Sequence, residues 1–300
     1  MTDAAPDATP APTTPDHMGT PTPGRHEGRV AIITGASRGI GRAVARRLAA
    51  EGCAIVVAAK SIDPHPTLPG TITDCVAAIE ADGGRATAFQ VDVRDETRVE
   101  AMVQHAIDTY GRIDYLFNNA GAIVLGPVIA VPPKKYDLMF QVNNRAAHAT
   151  AHYALPHMVA AKFGHIVNFS PPLHVDPSVG MAPYMTTKLG MTRLAMAIAE
   201  EHRGDNIAAN SIWPVTMIDT AAVRVNRMGD ESQYRTPEII ADAMSELLSR
   251  DPAACSGNQF TDEDILRSAG ASATDIDRYW VTGHAPAFLM SIVGEGSIMR

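Results

Sequence analysis

Cysteine is scarce in this chain. Cys53, Cys75 and Cys255 stand far apart among 300 residues, form no Cys-x-x-Cys pair and are odd in number. That excludes a disulfide framework as the organising device and makes a reducing compartment, cytoplasmic by default, the expectation. Long apolar runs are also missing. None approaches the ~18 residues a spanning helix needs, and the N-terminus lacks the basic start and apolar centre of a signal peptide. Charge of positive sign is in short supply: 25 Lys and Arg face 33 Asp and Glu, a net charge of -8. With no basic run in view, a nucleic-acid or anionic-membrane partner is not expected. The 11 histidines are scattered. His148 and His152 share one helical face, but His-Glu-x-x-His does not occur, so no metal site is expected.

What is present is an ordinary globular mixture, 46% hydrophobic and 19% charged, long enough for one large α/β domain. Residues 1–27, rich in Pro, Thr, Ala and Asp, carry no apolar periodicity and read as a disordered tail. From 28 to 300 the pattern is that of a single domain. Strands are predicted at 30–34, 54–59, 86–91, 113–118, 164–169 and 206–212, with a last one near 258–261. Helices are predicted at 39–51, 71–82, 95–110, 136–161, 184–202 and 236–249. Strand alternating with helix implies a parallel, doubly wound sheet of Rossmann type, with ligand at the carboxyl ends of the strands. Two long connections, 61–70 and 214–235, interrupt the rhythm and read as binding loops.

The most informative stretch is Val30-Ala-Ile-Ile-Thr-Gly-Ala-Ser-Arg-Gly-Ile-Gly41. A buried strand runs straight into a turn holding Gly35, Ser37, Arg38, Gly39, Ile40 and Gly41, and an amphipathic helix follows. Glycines let backbone N–H groups approach a pyrophosphate, and the helix N-terminus adds partial positive charge. A plain tight loop is the alternative reading. The second strand ends in Lys60, where NAD-selective folds carry an acid for the ribose hydroxyls. Lys60 with Arg38 favours a 2′-phosphate, hence NADP(H); a solvated strand end is the alternative. Asp92, followed by Val93, closes the third strand, either to meet adenine or to cap the next helix. Asn118-Asn119-Ala120-Gly121 closes the fourth, where amides can tie strand ends and Ala120 and Gly121 leave room for a cofactor.

Tyr184 and Lys188 lie four residues apart, about 150 residues beyond the glycine turn, at the start of a predicted helix. The i,i+4 spacing points both the same way. A phenol near pKa ~10 is a poor base at neutral pH, and a neighbouring ammonium lowers it. Tyr184 is thus the candidate general acid/base.

These motifs, Thr34-Gly35-x3-Gly39-Ile40-Gly41, Asn118-Asn119-Ala120-Gly121 and Tyr184-x3-Lys188, resemble those of the short-chain dehydrogenase/reductase family from about residue 28 to at least 250. The resemblance implies hydride transfer with a nicotinamide cofactor. It implies that Asn143, with Asn144 as rival, holds a proton-relay water, and that Lys188 bridges the nicotinamide ribose hydroxyls. It places Pro214, Thr216 and Ile218 against the carboxamide, and implies pairing of helices between subunits in a homodimer or homotetramer. The family usually has a serine 13 residues before the tyrosine. Here that position is Pro171, and Ser170, one residue early, is the candidate substitute. The stretch 57–70, Ser170-Pro171-Pro172-Leu173, Trp213–Thr216 and Gly257–Leu266 resemble one narrower group of the family. In that group a sterol-carrier domain can follow, for which this chain has no room. The expected substrate is a carbonyl or secondary alcohol of a lipophilic compound, fatty-acyl or steroid-like. The competing expectation is an NADPH-binding sensor or scaffold with little turnover.

Overall fold

A computed structural model describes residues 18–66 and 68–286. In chain order the elements are β1 (Val30–Thr34), α1 (Gly39–Ala50), β2 (Ala54–Ala59), α2 (Ile72–Ala81), β3 (Arg85–Gln90), α3 (Glu96–Tyr110), β4 (Tyr115–Asn118), α4 (Pro133–Phe140), α5 (Ala146–Ala161), β5 (Gly164–Phe169), α6 (Ala182–Glu201), β6 (Ile207–Trp213), β7 (Met217–Ile218), α7 (Ala221–Val225), β8 (Tyr234–Arg235), α8 (Glu238–Leu248), β9 (Gln259–Thr261), α9 (Asp262–Ser268) and α10 (Ala273–Asp277). Seven strands form one sheet in the order β3-β2-β1-β4-β5-β6-β9, parallel throughout. This is the Rossmann-type α/β architecture expected.

Strand side chains alternate between two cores. Ile33, Ile55 and Val57 face Val44, Leu48 and Leu247 of α1 and α8. Ile32, Val56 and Ile166 face Val99, Met102, Ala154 and Ala195 of α3, α5 and α6. Both faces are covered, so the strands read as continuous apolar runs. β1 pairs with β2 on one side and β4 on the other. The chain reverses its winding there, and a crevice opens at the carboxyl ends of β1 and β4.

Three expectations are corrected. The helix predicted over 136–161 is divided: α4 and α5 are separated by a π-turn at Gln141–Arg145. Such turns appear mostly as single bulges, often at functional sites. Residues 18–27, predicted to be disordered, are packed; the rest of the predicted tail, 1–17, lies outside the described residues. Met18 is buried, Gly19 N–H donates to Asp242 (2.8 Å) and Thr22 N–H to Glu51 (3.0 Å), and buried His26 meets the Tyr115 hydroxyl (3.1 Å). The anchors are buried acids, Glu51 just past the end of α1 and Asp242 on α8, which an apolar-periodicity reading does not detect. Finally, the segment beyond β9, past the last helix predicted at 236–249, forms α9 and α10, each opened by a capping box, and buries Ile265, Leu266, Ile276, Tyr279 and Trp280.

Candidate active site

The crevice is a cleft of about 1090 Å³, at the upper end of what single small-ligand sites enclose. One end is built by the β1–α1 turn. Arg38 precedes α1 in extended backbone and gives no side-chain cap, and the first turn of α1 holds no acid. By contrast α2 is closed by a Thr71–Asp74 capping box. The leading N–H groups of α1 are therefore left without a capping side chain at a partial positive charge. Gly35, Ser37, Arg38, Gly39 and Ile40 all line the cleft. Gly41 does not. A Cβ there would meet Asn119 Nδ2 at 2.5 Å and the Gly35 carbonyl at 2.7 Å, so this glycine permits the helix to sit tightly on the strand ends.

Asn119 Nδ2 donates to the carbonyls of Thr34 (2.9 Å) and Gly35 (3.2 Å), holding the turn to the end of β4. Asn118 donates to Asn168 Oδ1 (2.9 Å) and accepts from Thr150 (2.6 Å), linking α5, β4 and β5. Ala120 and Gly121 line the cleft beside Asn119.

At the edge beyond β2 and β3, Lys60 is exposed and lines the cleft with Asp92 and Val93. Asp92 is paired with Arg94, whose Nε donates at 2.9 Å. That hydrogen bond holds the carboxyl below the usual carboxylate range. The 61–70 loop folds back on the turn: Arg38 donates to the Gly70 carbonyl (2.8 Å), and Leu68 lines the cleft. Arg38 Nε is buried with no partner.

The other end is built by α6, the π-turn and the strand ends of β5 and β6. Tyr184 and Lys188 both line the cleft from the first two turns of α6. Lys188 is 2% exposed, and its Nζ donates to the Phe169 carbonyl at 2.6 Å. Burial raises the Tyr184 phenol above its ordinary value and pushes Lys188 down to about 7. The phenol is thus raised by burial rather than lowered by the ammonium as expected. Asn143 is buried in the π-turn. Its side chain accepts from Ala122 N–H (2.8 Å) and donates to the Ala122 carbonyl (3.0 Å) and to Thr187 (2.9 Å). It stands behind the cleft wall; a Cβ on Gly121 would lie 3.5 Å from its Oδ1 and 3.9 Å from Lys188 Nζ. Asn144, the rival, packs instead toward Gly190 of α6, where its Nδ2 would lie 2.2 Å from a Cβ.

Two further expected contacts are not made. Ser170 is fully buried; its Oγ is hydrogen-bonded to the Thr192 hydroxyl of α6 (2.8 Å), and Thr192 also reaches the Pro171 carbonyl (2.6 Å). Ser170 thus points into the α6 packing and does not line the cleft. Thr216 is fully buried too and absent from the lining, although Pro214 and Ile218 on either side are part of it. The chain bends at residues 215–216, between β6 and β7, and Thr216 is turned inward there.

The sequence reading did not single out His174, which lines the cleft with a buried, unpartnered Nδ1, nor Thr187 and Thr192, which fasten Asn143 and Ser170. Local spacing carries no signal for these contacts. Trp213, Met217 and Val223 give the same end of the cleft an apolar lining. Among the described residues, no group of three His, Cys, Asp or Glu side chains could hold a metal ion, and no helix is long and apolar enough to cross a membrane.

The pieces fit a dinucleotide: an uncapped helix N-terminus and an orphaned guanidinium nitrogen at one end, and a phenol and an ammonium at the other. Comparison with known proteins agrees. The short chain dehydrogenase profile matches residues 29–230. Hydroxysteroid dehydrogenase-like protein 2 of Xenopus tropicalis is 43% identical over 268 residues, 88% of this chain and 63% of the relative. The chain therefore spans under two thirds of the length of such curated relatives. A solved short chain dehydrogenase from Mycobacterium thermoresistibile is 39% identical with a TM-score of 0.80, covering 91% of this chain and 99% of that one. A metagenomic short-chain oxidoreductase solved in complex with NADP is 29% identical with a TM-score of 0.65, covering 77% and 95%. Fold, motifs and these matches together establish that the chain belongs to the short-chain dehydrogenase/reductase family.

Proposed function

We propose that this protein is an NADP(H)-dependent oxidoreductase that interconverts a carbonyl and a secondary alcohol on a lipophilic substrate, fatty-acyl or steroid-like. The observation that carries the reading is the placement of Tyr184 and Lys188 on the wall of the same cleft whose far end is the uncapped N-terminus of α1. When bound, the reduced nicotinamide supplies the hydride. Tyr184 gives its phenolic proton to the carbonyl oxygen, so the carbon gains hydride, the oxygen gains a proton and an alcohol leaves. Burial keeps the phenol protonated at neutral pH, the state a donor needs. Lys188 makes one short hydrogen bond to Phe169 and has further N–H groups to offer the cofactor ribose. Lys60 and Arg38 meet the 2′-phosphate. Asn143 holds the π-turn against Ala122, positioning the wall beside Lys188. The apolar side chains of Trp213, Met217, Val223 and Met228 suit an aliphatic or polycyclic substrate. Three buried free thiols fit a reducing, cytoplasmic setting.

A second reading, an NADPH-binding sensor or scaffold with little turnover, draws on Pro171 and on the inward turn of Ser170. One experiment separates the two. The purified protein is given NADPH and a ketone panel (2-decanone, cyclohexanone, acetophenone). Turnover is expected for at least one ketone, falling about 10²- to 10⁴-fold in Tyr184→Phe while NADPH affinity is kept. NADPH binding without turnover of any ketone favours the sensor. Turnover that survives Tyr184→Phe removes the mechanism, and equal affinity for NADH and NADPH, or a Lys60→Ala variant with unchanged NADPH affinity, removes the 2′-phosphate contact.

A further inference from the structure

We infer that His174 supplies the hydrogen bond to the substrate's carbonyl oxygen that Ser170 is in no position to give; the inference rests on the oxidoreductase reading above. At the tip of β5 the donor expected from the family is missing. Pro171 has neither hydroxyl nor N–H, and the Ser170 side chain is held by Thr192 inside the α6 packing. The backbone does not leave Ser170 free to turn: its N–H donates to the Ile212 carbonyl (3.1 Å) in the β5–β6 ladder. The chain beyond the two prolines is then pinned again, because Leu173 N–H donates to Gln259 Oε1 of β9 at 2.6 Å.

His174 is the next residue, and it lines the cleft that Tyr184 lines. Its Nδ1 is buried and has no hydrogen-bond partner. Leaving a buried polar atom unpaired is destabilising, and such atoms in native proteins call for a specific reason. Arg38 Nε is the only other cleft-lining side-chain atom in that condition among the described residues, and it stands at the glycine turn, the opposite end. In the Nδ1–H tautomer the imidazole is a donor. A donor aimed at a carbonyl oxygen gains strength as hydride addition builds negative charge there, so it favours the transition state over the bound ketone. The alternatives on the same loop are poorer: Asp176 only accepts when ionised, and Ser178 is turned to its own loop, with Oγ 3.5 Å from the Asp176 carbonyl.

The test measures NADPH oxidation with the same ketone panel for wild type, His174→Ala, His174→Asn and Ser178→Ala, with NADPH affinity measured separately by calorimetry. His174→Ala is expected to lower kcat about 100-fold or more, with KM and NADPH affinity nearly unchanged. His174→Asn is expected to recover most of kcat, since its amide nitrogen reaches close to the place of Nδ1; a residue that merely shaped the loop would not be rescued in this way. A wild-type kcat in His174→Ala, an Asn variant as slow as Ala, or a loss carried by Ser178→Ala instead each overturn the assignment to His174 while leaving the oxidoreductase reading intact. A wild-type protein that binds NADPH and reduces none of the ketones overturns both.

Discussion

Burial moves Tyr184 and Lys188 in opposite directions: the phenol holds its proton more tightly and the ammonium less. For Lys188 this has a stability consequence. Its folded pKa, about 7, lies below the unfolded value of ~10.4. Between these the unfolded chain binds more protons, so this group's contribution makes the protein more stable as pH rises from about 7 to ~10. Below 7 the full cost of burying the ammonium is present. Lys188→Met is therefore expected to raise the Tm of the ligand-free protein at pH 6–7 by several degrees, at about 2–4 °C per kcal/mol for a chain of this size. The advantage should shrink toward pH 10, with turnover abolished throughout. A Tm that runs parallel to wild type at every pH counts against this account.

The elements that shape the Tyr184 end of the cleft are held from outside it. Asp262, first residue of α9, is fully buried and accepts from Val215 N–H at 2.9 Å, anchoring the segment between β6 and β7. Burial pushes its carboxyl up to about 7. Asp262→Ala leaves the Val215 N–H unpaired, a cost of about 1–3 kcal/mol, and frees the Pro214–Ile218 wall. The expected result is a lower Tm together with weaker NADPH binding. Asp262→Asn keeps the accepting oxygen and removes the buried charge, so at pH 8 it is expected to match or exceed wild-type stability. Thermal melts and NADPH titrations at that pH check both. Equal loss in Ala and Asn would instead assign the anchoring to the carboxylate charge. The π-turn shows why element boundaries escaped the periodicity reading: 136–161 keeps a helical apolar pattern throughout, and the extra residue that unwinds one turn is set by Asn143 bonding Ala122 and Thr187.

At the scale of the molecule, the sheet is covered on both faces, yet α5 leaves His148 and His152 exposed beside Tyr153, with the two imidazoles stacked at 6.1 Å. We propose that this face pairs subunits. Light scattering of the purified protein is expected to report a dimer or tetramer, and substituting Arg at His152 to shift it toward monomer; a wild-type monomer contradicts the proposal. The architecture was largely legible beforehand, since each strand–helix unit is written in local pattern, with Val30–Ile33 leading into Gly35 and Arg42–Ala50. Much of the candidate site was legible for the same reason: Tyr184 and Lys188 meet by helical spacing alone.

The chain's own order of residues was enough to determine the alternation of strand and helix, the glycine turn at the end of β1 and the shared face of Tyr184 and Lys188, because each is written in the pattern of a few neighbouring residues. Tertiary packing alone decided that Ser170 turns to Thr192, that Thr216 faces inward, that His174 reaches the cleft and that residues 18–27 are fastened to Glu51 and Asp242. Those outcomes depend on which distant group offers a hydrogen-bond partner or excludes water, and no local spacing records that.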